Sequence, residues 1–383
     1  MNQKLKNIFV IAGESSGDIH AAALIKEINS NDPEISFIGI GGPEMEKQNV
    51  NVLYNIREVN FIGFSSVIRN IKKIKGILDH CVSKVREINP DAVIVIDFPG
   101  FNLKFISRIR KFFNGKIIYY ISPQLWAWHK SRVEIIKKYV DLMLVVFPFE
   151  VDFYSKEDIA AEYVGHPLVK RIDEFLAGNK RESSDRKRIS ILAGSRKDEI
   201  ERMLPVLVET AGRFKKEFDC EINFLCSTNY EEEYYKTFID PEIFNIVYDK
   251  NNSSLNYKTI LNSDLVITKS GTSTVECALI GTPFCVVYKT GKLNYLIGKN
   301  LIQVEHIAMI NILLKRKAVQ EFLQSEMTPD KILSEGKKIL TDISYTGMMK
   351  KDFQEIRKIL SSKDASRNAA SAILKLINNA EQP

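Results

Sequence analysis

Short apolar runs alternate with helix-length segments along this chain, and they do so twice. In the first half, apolar runs at 8–12, 35–40, 93–96, 117–121 and 142–147 are separated by helix-like stretches at 21–28, 65–88, 103–113 and 131–139. Unbroken apolar strands joined by helices specify a parallel sheet covered on both faces, because each parallel connection must cross over the sheet and bury it. A polar segment at 178–188, GNKRESSDRKR, reads as a linker or surface loop. A second series then follows, with strands at 189–192, 222–226 and 245–248 and helices at 198–217 and 231–238. The fold expected is α/β, with two similar halves as separate domains and a cleft between them. Ligands of such sheets gather at the carboxyl ends of the strands, so the turns found there are the first places to look for chemistry.

The most complete of those turns lies in residues 263–289, SDLVITKSGTSTVECALIGTPFCVVYK. A strand at 265–268 runs into Ser270, Gly271, Thr272, Ser273 and Thr274, a helix follows, Gly281-Thr282-Pro283 stops it, and a strand at 284–288 resumes. Glycine permits a tight backbone, hydroxyls donate to phosphate oxygens, and a helix N-terminus offers free N–H groups. Glu276, further along the helix, can receive a pair of adjacent hydroxyls such as those of a ribose. The same residue types also serve as ordinary turn and capping residues, so the unit by itself suggests a nucleotide or nucleotide-sugar site without proving one. Neither GxxxxGK[ST] nor a GxGxxG after a strand occurs, which argues against a P-loop NTPase and an ordinary dinucleotide enzyme.

Composition narrows the classes further. The 383 residues suffice for two cores, and 45% hydrophobic with 27% charged is the balance of a folded protein. Five cysteines with no CxxC spacing make neither a zinc framework nor a disulfide framework. The apolar run at 8–12 is too short for a signal peptide core or a membrane span, so a cytoplasmic protein is expected. The net charge of +6 is not accompanied by interleaved aromatics or a helix-turn-helix pattern, so nucleic acid is not the expected partner. An oligomer is compatible with the sequence.

Several other turns carry chemistry. After the first strand, Gly13-Glu14-Ser15-Ser16-Gly17-Asp18 combines two glycines with Glu14, Ser15, Ser16 and Asp18, groups suited to a polyol; Asp18 is equally a helix cap. Asp97 ends the apolar run 93–96 and is followed by Phe98-Pro99-Gly100. A carboxylate at the end of a buried strand has its charged form disfavoured, which raises its pKa toward a value useful for proton abstraction. Trp126 and Trp128 lie beside His129 after the run 117–121, either lining the cleft or packing in the core. His166, in Gly165-His166-Pro167 after another short strand, can contact phosphate or cap. In the second half, Gly194-Ser195-Arg196 follows the strand 189–192, where backbone N–H groups and a guanidinium can clamp a diphosphate. No DxD cluster is present, so neither a metal nor another cofactor is expected; Arg196 and helix N-termini would neutralise the leaving group.

One segment is both basic and apolar. Val67, Ile68, Ile71, Ile74, Ile77 and Leu78 fall on one helical face, flanked by Arg69, Lys72, Lys73 and Lys75. This is the pattern of a helix lying on an anionic membrane surface, and equally that of a helix covering a sheet.

The motifs AGESSGD (12–18), FIGIGGPEM (37–45), VIDFPGFN (95–102), SPQLWAW (122–128), FPFE (147–150), VGHP (164–167), AGSR (193–196) and SGTSTVE (270–276) together resemble the lipid-A-disaccharide synthase family of membrane-associated glycosyltransferases. The resemblance implies the GT-B architecture, two Rossmann-like domains facing across a cleft. It places an acceptor domain at 1–170, a UDP-sugar domain at 186–350 and a helical segment at 351–383 returning to the first domain. It implies transfer of 2,3-diacylglucosamine from UDP-2,3-diacylglucosamine to the 6-hydroxyl of 2,3-diacylglucosamine 1-phosphate, forming a β-1,6 disaccharide 1-phosphate and UDP at the cytoplasmic face of the inner membrane. Asp97 matches the family's proposed base, Glu14 an essential acid, Arg196 the arginine of the GSR turn and Asn311 the asparagine that ends an LPN-like motif, here Met309-Ile310-Asn311. Donor contacts are thus expected from Arg196, residues 270–274, Glu276 and Asn311. Acceptor contacts are expected from Ser15, Ser16, Asp18, Trp128, His129 and His166. The chain departs from the family at His129, where an arginine is usual, at Ala193, where a proline precedes GSR, and at Ile310. A UDP-sugar epimerase of the same architecture and a non-catalytic UDP-sugar or lipid-binding protein are the alternatives.

Overall fold

Every strand pairing in the computed structural model is parallel, among the residues it describes: 6–59, 71–123, 125, 130–249, 254–291, 305–361 and 363–379. The chain falls into two compact units, Met1–Pro167 with Leu360–Pro383, and Leu168–Ile359. Each unit is built around one sheet.

In the first unit, the strands are β1 (Asn7–Ala12), β2 (Ser36–Gly41), β3 (Asn51–Asn55), β4 (Ala92–Ile96), β5 (Lys116–Tyr120), β6 (Leu142–Val145) and β7 (Ala161–Tyr163), in the order β3-β2-β1-β4-β5-β6-β7. The central strands are buried on both faces, which is why their sequences show no alternation. Phe9, Ile11, Val93, Val95, Ile117 and Tyr119 form one core with the helices Ile71–Ile88 and Pro99–Ile109. On this unit the helix Ala365–Asn379 packs against the helix Ser15–Asn31 and β5. Pro99, Pro43 and Pro148 each open a helix, where the missing N–H costs nothing.

The second unit holds β8 (Lys187–Leu192), β9 (Cys220–Leu225), β10 (Asn245–Val247), β11 (Leu265–Lys269), β12 (Phe284–Tyr288) and β13 (Glu321–Leu323), ordered β10-β9-β8-β11-β12-β13. The helix Lys197–Glu217 packs on Pro329–Thr341, and Thr272–Ile280 on Ser254–Asn262. Gly281 ends the helix Thr272–Ile280 in a left-handed conformation, φ 90°, as a C-terminal glycine does.

Two features differ from the sequence reading, while a third, the segment 178–188, is resolved between its linker and surface-loop alternatives. The segment 178–188 belongs to the second unit, where Arg181 donates to Asp264 at 2.6 Å and the Glu182 N–H donates to Asn262 at 2.8 Å. Those bonds anchor it as a surface loop of that unit. The segment 351–383 is divided, because most of the helix Ile343–Leu360 lies in the second unit and only the chain from Leu360 onward in the first. The short strands β3 and β13 have no counterpart in the sequence reading, while β7 is the short strand expected before Gly165. All five cysteines are buried and free.

Candidate active site

In both sheets the chain moves outward from a central strand and then returns to that strand's other side, between β1 and β4 and again between β8 and β11. Helices that follow the two neighbouring strands leave on opposite faces, so a crevice opens at the carboxyl ends. Glu14 and Asp97 follow β1 and β4; Arg196 and Ser270 follow β8 and β11. The residues predicted from the sequence therefore flank the switch points of the two sheets.

Asp97 is held in an unusual backbone. Asp97 and Phe98 both take left-handed conformations, φ 43° and 45°, and Ile121 at the end of β5 does so as well, φ 63°. Left-handed non-glycine residues cost roughly 1–3 kcal/mol each and persist only where their surroundings over-determine them. The surroundings here are specific. The Asp97 N–H donates to Tyr120 O at 3.2 Å, while the Asp97 carbonyl accepts from Asn102 Nδ2 and from the Tyr119 hydroxyl, both at 2.7 Å. Phe98 covers Gly13, where any side chain would run into the ring. The absence of a side chain at Gly13 is what lets the two turns close on each other. Burial, reinforced by the negative charge of Glu14, pushes the Asp97 carboxyl up to about 7, against the opposing pull of the Phe98 N–H. Asp97 thus titrates where a general base is most effective.

The other residues expected at the site in this unit differ in exposure and in partners. Ser15 and Ser16 are exposed at the start of the helix Ser15–Asn31, and Glu14 is partly buried at its N-cap. Asp18 is a correction: it is buried, and its carboxylate accepts from the N–H groups of Gly42, Glu44 and Met45 at 2.8, 3.0 and 3.1 Å. With its oxygens so engaged, it shapes the turn after β2 and is not free for acceptor hydroxyls. His166 is also buried, beside the Phe147 ring, and burial with the neighbouring His20 charge lowers its pKa to about 3. It stays neutral at ordinary pH, so it is no cation for a phosphate. Trp128 and His129 lie outside the described residues.

The same is true of Val67 and Ile68 in the basic segment. Ile74, Ile77 and Leu78 pack toward the core, so that part of the apolar face covers the sheet. Ile71 is 61% exposed and lies next to exposed Lys72, Lys73 and Lys75, which keeps a small amphipathic patch on the surface.

In the second unit the turn after β11 depends on glycine: Gly271 sits at φ 142°, which L side chains rarely adopt. Its hydroxyls are largely engaged in building the turn. Ser270 Oγ donates to Ile307 O at 2.7 Å, Ser273 Oγ pairs with Thr268 Oγ1 at 2.8 Å, and Thr274 Oγ1 donates to Gly271 O at 2.8 Å. Thr272, the first helical residue, is exposed. What the turn offers an anion is mainly backbone geometry at a helix N-terminus. Glu276 accepts from the Tyr257 hydroxyl at 2.8 Å, and burial raises its carboxyl pKa.

Arg196 is 58% exposed at the N-cap of the helix Lys197–Glu217, its guanidinium 3.6 Å from Glu199. Glu199 in turn accepts from the Lys269 ammonium at 2.9 Å. This carboxylate joins the turns after β8 and β11 and holds two cations beside them. Asn311 is a second correction. It is fully buried, donating to Val319 O at 2.9 Å and Glu321 Oε1 at 2.7 Å and accepting from the Ala318 and Val319 N–H groups at 2.8 and 2.9 Å. Glu321 also accepts from the N–H groups of Ile307 and Ala308. Asn311 therefore orders the loop that receives Ser270, and its amide is taken up by that loop.

Sequence reasoning passed over Lys269, Glu199, Glu321, Tyr119 and Asn102. Lys269 and Asn102 stand inside motifs already singled out, one before SGTSTVE and one ending VIDFPGFN. Tyr119 and Glu321 carry no local signal, since their partners are distant in sequence, and Glu199 has only Arg196 nearby while Lys269 reaches it from β11.

The family model for lipid-A-disaccharide synthetase matches residues 8–377 of the chain. The lipid-A-disaccharide synthase of Geobacter sulfurreducens is 32% identical over 381 residues, and that of Myxococcus xanthus 34% identical over 377, each alignment covering 97% of both chains. The UDP-GlcNAc 2-epimerase from Neisseria meningitidis, solved bound to UDP-GlcNAc, matches with a TM-score of 0.66 over 97% of this chain and 100% of that one, at 10% identity. At that identity the likeness is one of fold: two Rossmann-like lobes of GT-B type.

Proposed function

The chain belongs to the lipid-A-disaccharide synthetase family, and from that premise we propose how it carries out the family reaction and which residues take part. It is a glycosyltransferase. It transfers 2,3-diacylglucosamine from UDP-2,3-diacylglucosamine to the 6-hydroxyl of 2,3-diacylglucosamine 1-phosphate, giving the β-1,6 disaccharide 1-phosphate and UDP. The observation that carries this reading is the family match over 8–377, which includes both switch points and all the residues given a role below. The epimerase alternative rests on fold alone, at 10% identity.

The acceptor belongs to the first unit and the UDP-sugar to the second. Asp97 removes the proton of the acceptor 6-hydroxyl. The oxygen forms its bond to the anomeric carbon as the bond to the diphosphate breaks, the configuration inverts, and the electron pair leaves with UDP. Glu14 tunes the base and, with Ser15, Ser16, Trp128 and His129, contacts the acceptor. Arg196 and the N-terminus of the helix Thr272–Ile280 take up the diphosphate charge, and Glu276 receives the ribose. Asp18, His166 and Asn311 act by holding these turns in shape.

The patch at Ile71, Lys72, Lys73 and Lys75 is read as the contact with an anionic membrane at the cytoplasmic face of the inner membrane. Among the described residues no helix is long and apolar enough to cross a membrane. A peripheral contact is what the acylated substrates call for.

The test is direct. Purified chain is mixed with UDP-2,3-diacylglucosamine and the diacyl sugar phosphate, and UDP release and disaccharide mass are followed together. Equimolar UDP and disaccharide are expected; no disaccharide with any acyl length would overturn the assignment.

A further inference from the structure

We propose that Asn102 and Tyr119 are positioning residues for the reaction, holding Asp97 in its left-handed conformation by a shared grip on the Asp97 carbonyl. The inference rests on reading Asp97 as the base. Two successive left-handed residues, Asp97 and Phe98, take the Asp97 carbonyl out of the strand ladder, and Pro99 brings no N–H to meet it. Two side chains do so instead: the Tyr119 hydroxyl from β5 and Asn102 Nδ2 from the first turn of the next helix, each at 2.7 Å.

Asn102 is fully buried, and Nδ2 also reaches Ile96 O at 3.2 Å. Its Oδ1 is buried with no hydrogen-bond partner. A buried acceptor left unpaired is unfavourable, and a leucine of similar size would avoid it. The amide is therefore retained for its two N–H groups, both of which grip the strand end that carries Asp97. Tyr119 keeps its proton, since burial and the Asp97 charge push its pKa well up, and so it remains a donor. The titratable groups around Asp97 are Glu14 from the turn after β1 and Tyr119 from β5, the latter influenced by Tyr154 and Arg132.

The experiment uses Tyr119→Phe, which removes one hydroxyl donor, and Asn102→Leu, which removes both amide donors at similar volume. Turnover, donor KM and the pH profile of kcat/KM are measured on each, beside thermal unfolding. For Asn102→Leu a kcat loss of about 100-fold is expected, the scale of an ångström-sized misplacement of a reacting group, with donor KM unchanged. For Tyr119→Phe a loss of about tenfold is expected, and in both the acidic limb moves below its unsubstituted position as Asp97 turns toward water. A limb that stays in place, with any loss explained by the unfolded fraction, overturns the proposal. Should Asn102→Leu fail to fold, Tyr119→Phe decides alone. If the unsubstituted chain forms no disaccharide, the reading of Asp97 as the base fails, and that result is distinct from unmoved limbs in an active enzyme.

Discussion

Lys269 donates to Glu199 at 2.9 Å across 70 residues of sequence, joining the end of β11 to the helix that follows β8. The side chains are 20% and 7% exposed, so the pair is shielded from water, and Glu199 also faces Arg196 at 3.6 Å. One carboxylate thus balances two cations at the turns assigned to the UDP diphosphate.

Replacing one member should expose the dependence. Glu199→Gln leaves Lys269 without its counter-charge and is expected to cost on the order of 2 kcal/mol, less than a wholly buried pair because Lys269 is partly solvated. UDP affinity should fall as well, since the two turns lose their link. Urea unfolding and calorimetric UDP titration check both effects. In a cycle with Lys269→Met, additive losses would show that the two side chains do not act as a pair.

Asp97 predicts opposite trends for activity and stability. Its pKa is raised to about 7, so the base form grows as pH rises and the rate should climb tenfold per pH unit below about 7, then level off. Because the folded pKa exceeds the unfolded one, the folded chain binds the extra proton between about pH 4 and 7, and this group's contribution to stability is lost across that window as pH rises. Asp97→Asn should abolish turnover yet be more stable than the unsubstituted chain at pH 8, on the order of 4 kcal/mol. Unfolding at pH 5 and pH 8 measures it: the advantage should shrink at the lower pH.

Asp18 should behave as a structural group. Asp18→Ala leaves three N–H groups, those of Gly42, Glu44 and Met45, without their acceptor. A stability loss of about 3 kcal/mol is expected, given roughly 1–3 kcal/mol for each buried donor left unpaired and partial relief by water. Chemical denaturation reads the loss. A fully stable variant with only a raised acceptor KM would return Asp18 to the binding site.

Replacing Lys72, Lys73 and Lys75 together with alanine should weaken flotation with anionic vesicles by about 100-fold in partition, at about 1 kcal/mol for each lysine near the surface. Neutral vesicles should show little difference. Unchanged flotation on anionic vesicles would exclude this patch as the contact.

Much of the site was legible because strand-end motifs are local. A glycine at positive φ or a carboxylate directly after a buried strand carries its meaning within a few residues, as Gly271 and Asp97 do. The less legible residues are those whose partners arrive from elsewhere. Asp18 and Glu14 look alike in AGESSGD, yet one is engaged by three backbone N–H groups from the turn after β2 and the other is not. Asn311 looks like a ligand contact until Glu321 and the 318–319 backbone take up its amide. The basic helix at 71–88 shows the same limit, because amphipathic spacing cannot tell a sheet from a membrane as the covering partner. The edge strands β3 and β13 were missed since short, partly exposed strands lack the apolar run that marks a central one.

The sequence by itself determined the parallel α/β class, the series of strand-end turns and the family, because each rests on residues close together or on motifs in a shared order. Only the tertiary structure decided which of those polar groups are left to meet a ligand. Hydrogen bonds are exclusive: once Asp18 and Asn311 are engaged by distant backbone, and Asn102 and Tyr119 close on the carbonyl of Asp97, the roles follow from partners that no local pattern encodes.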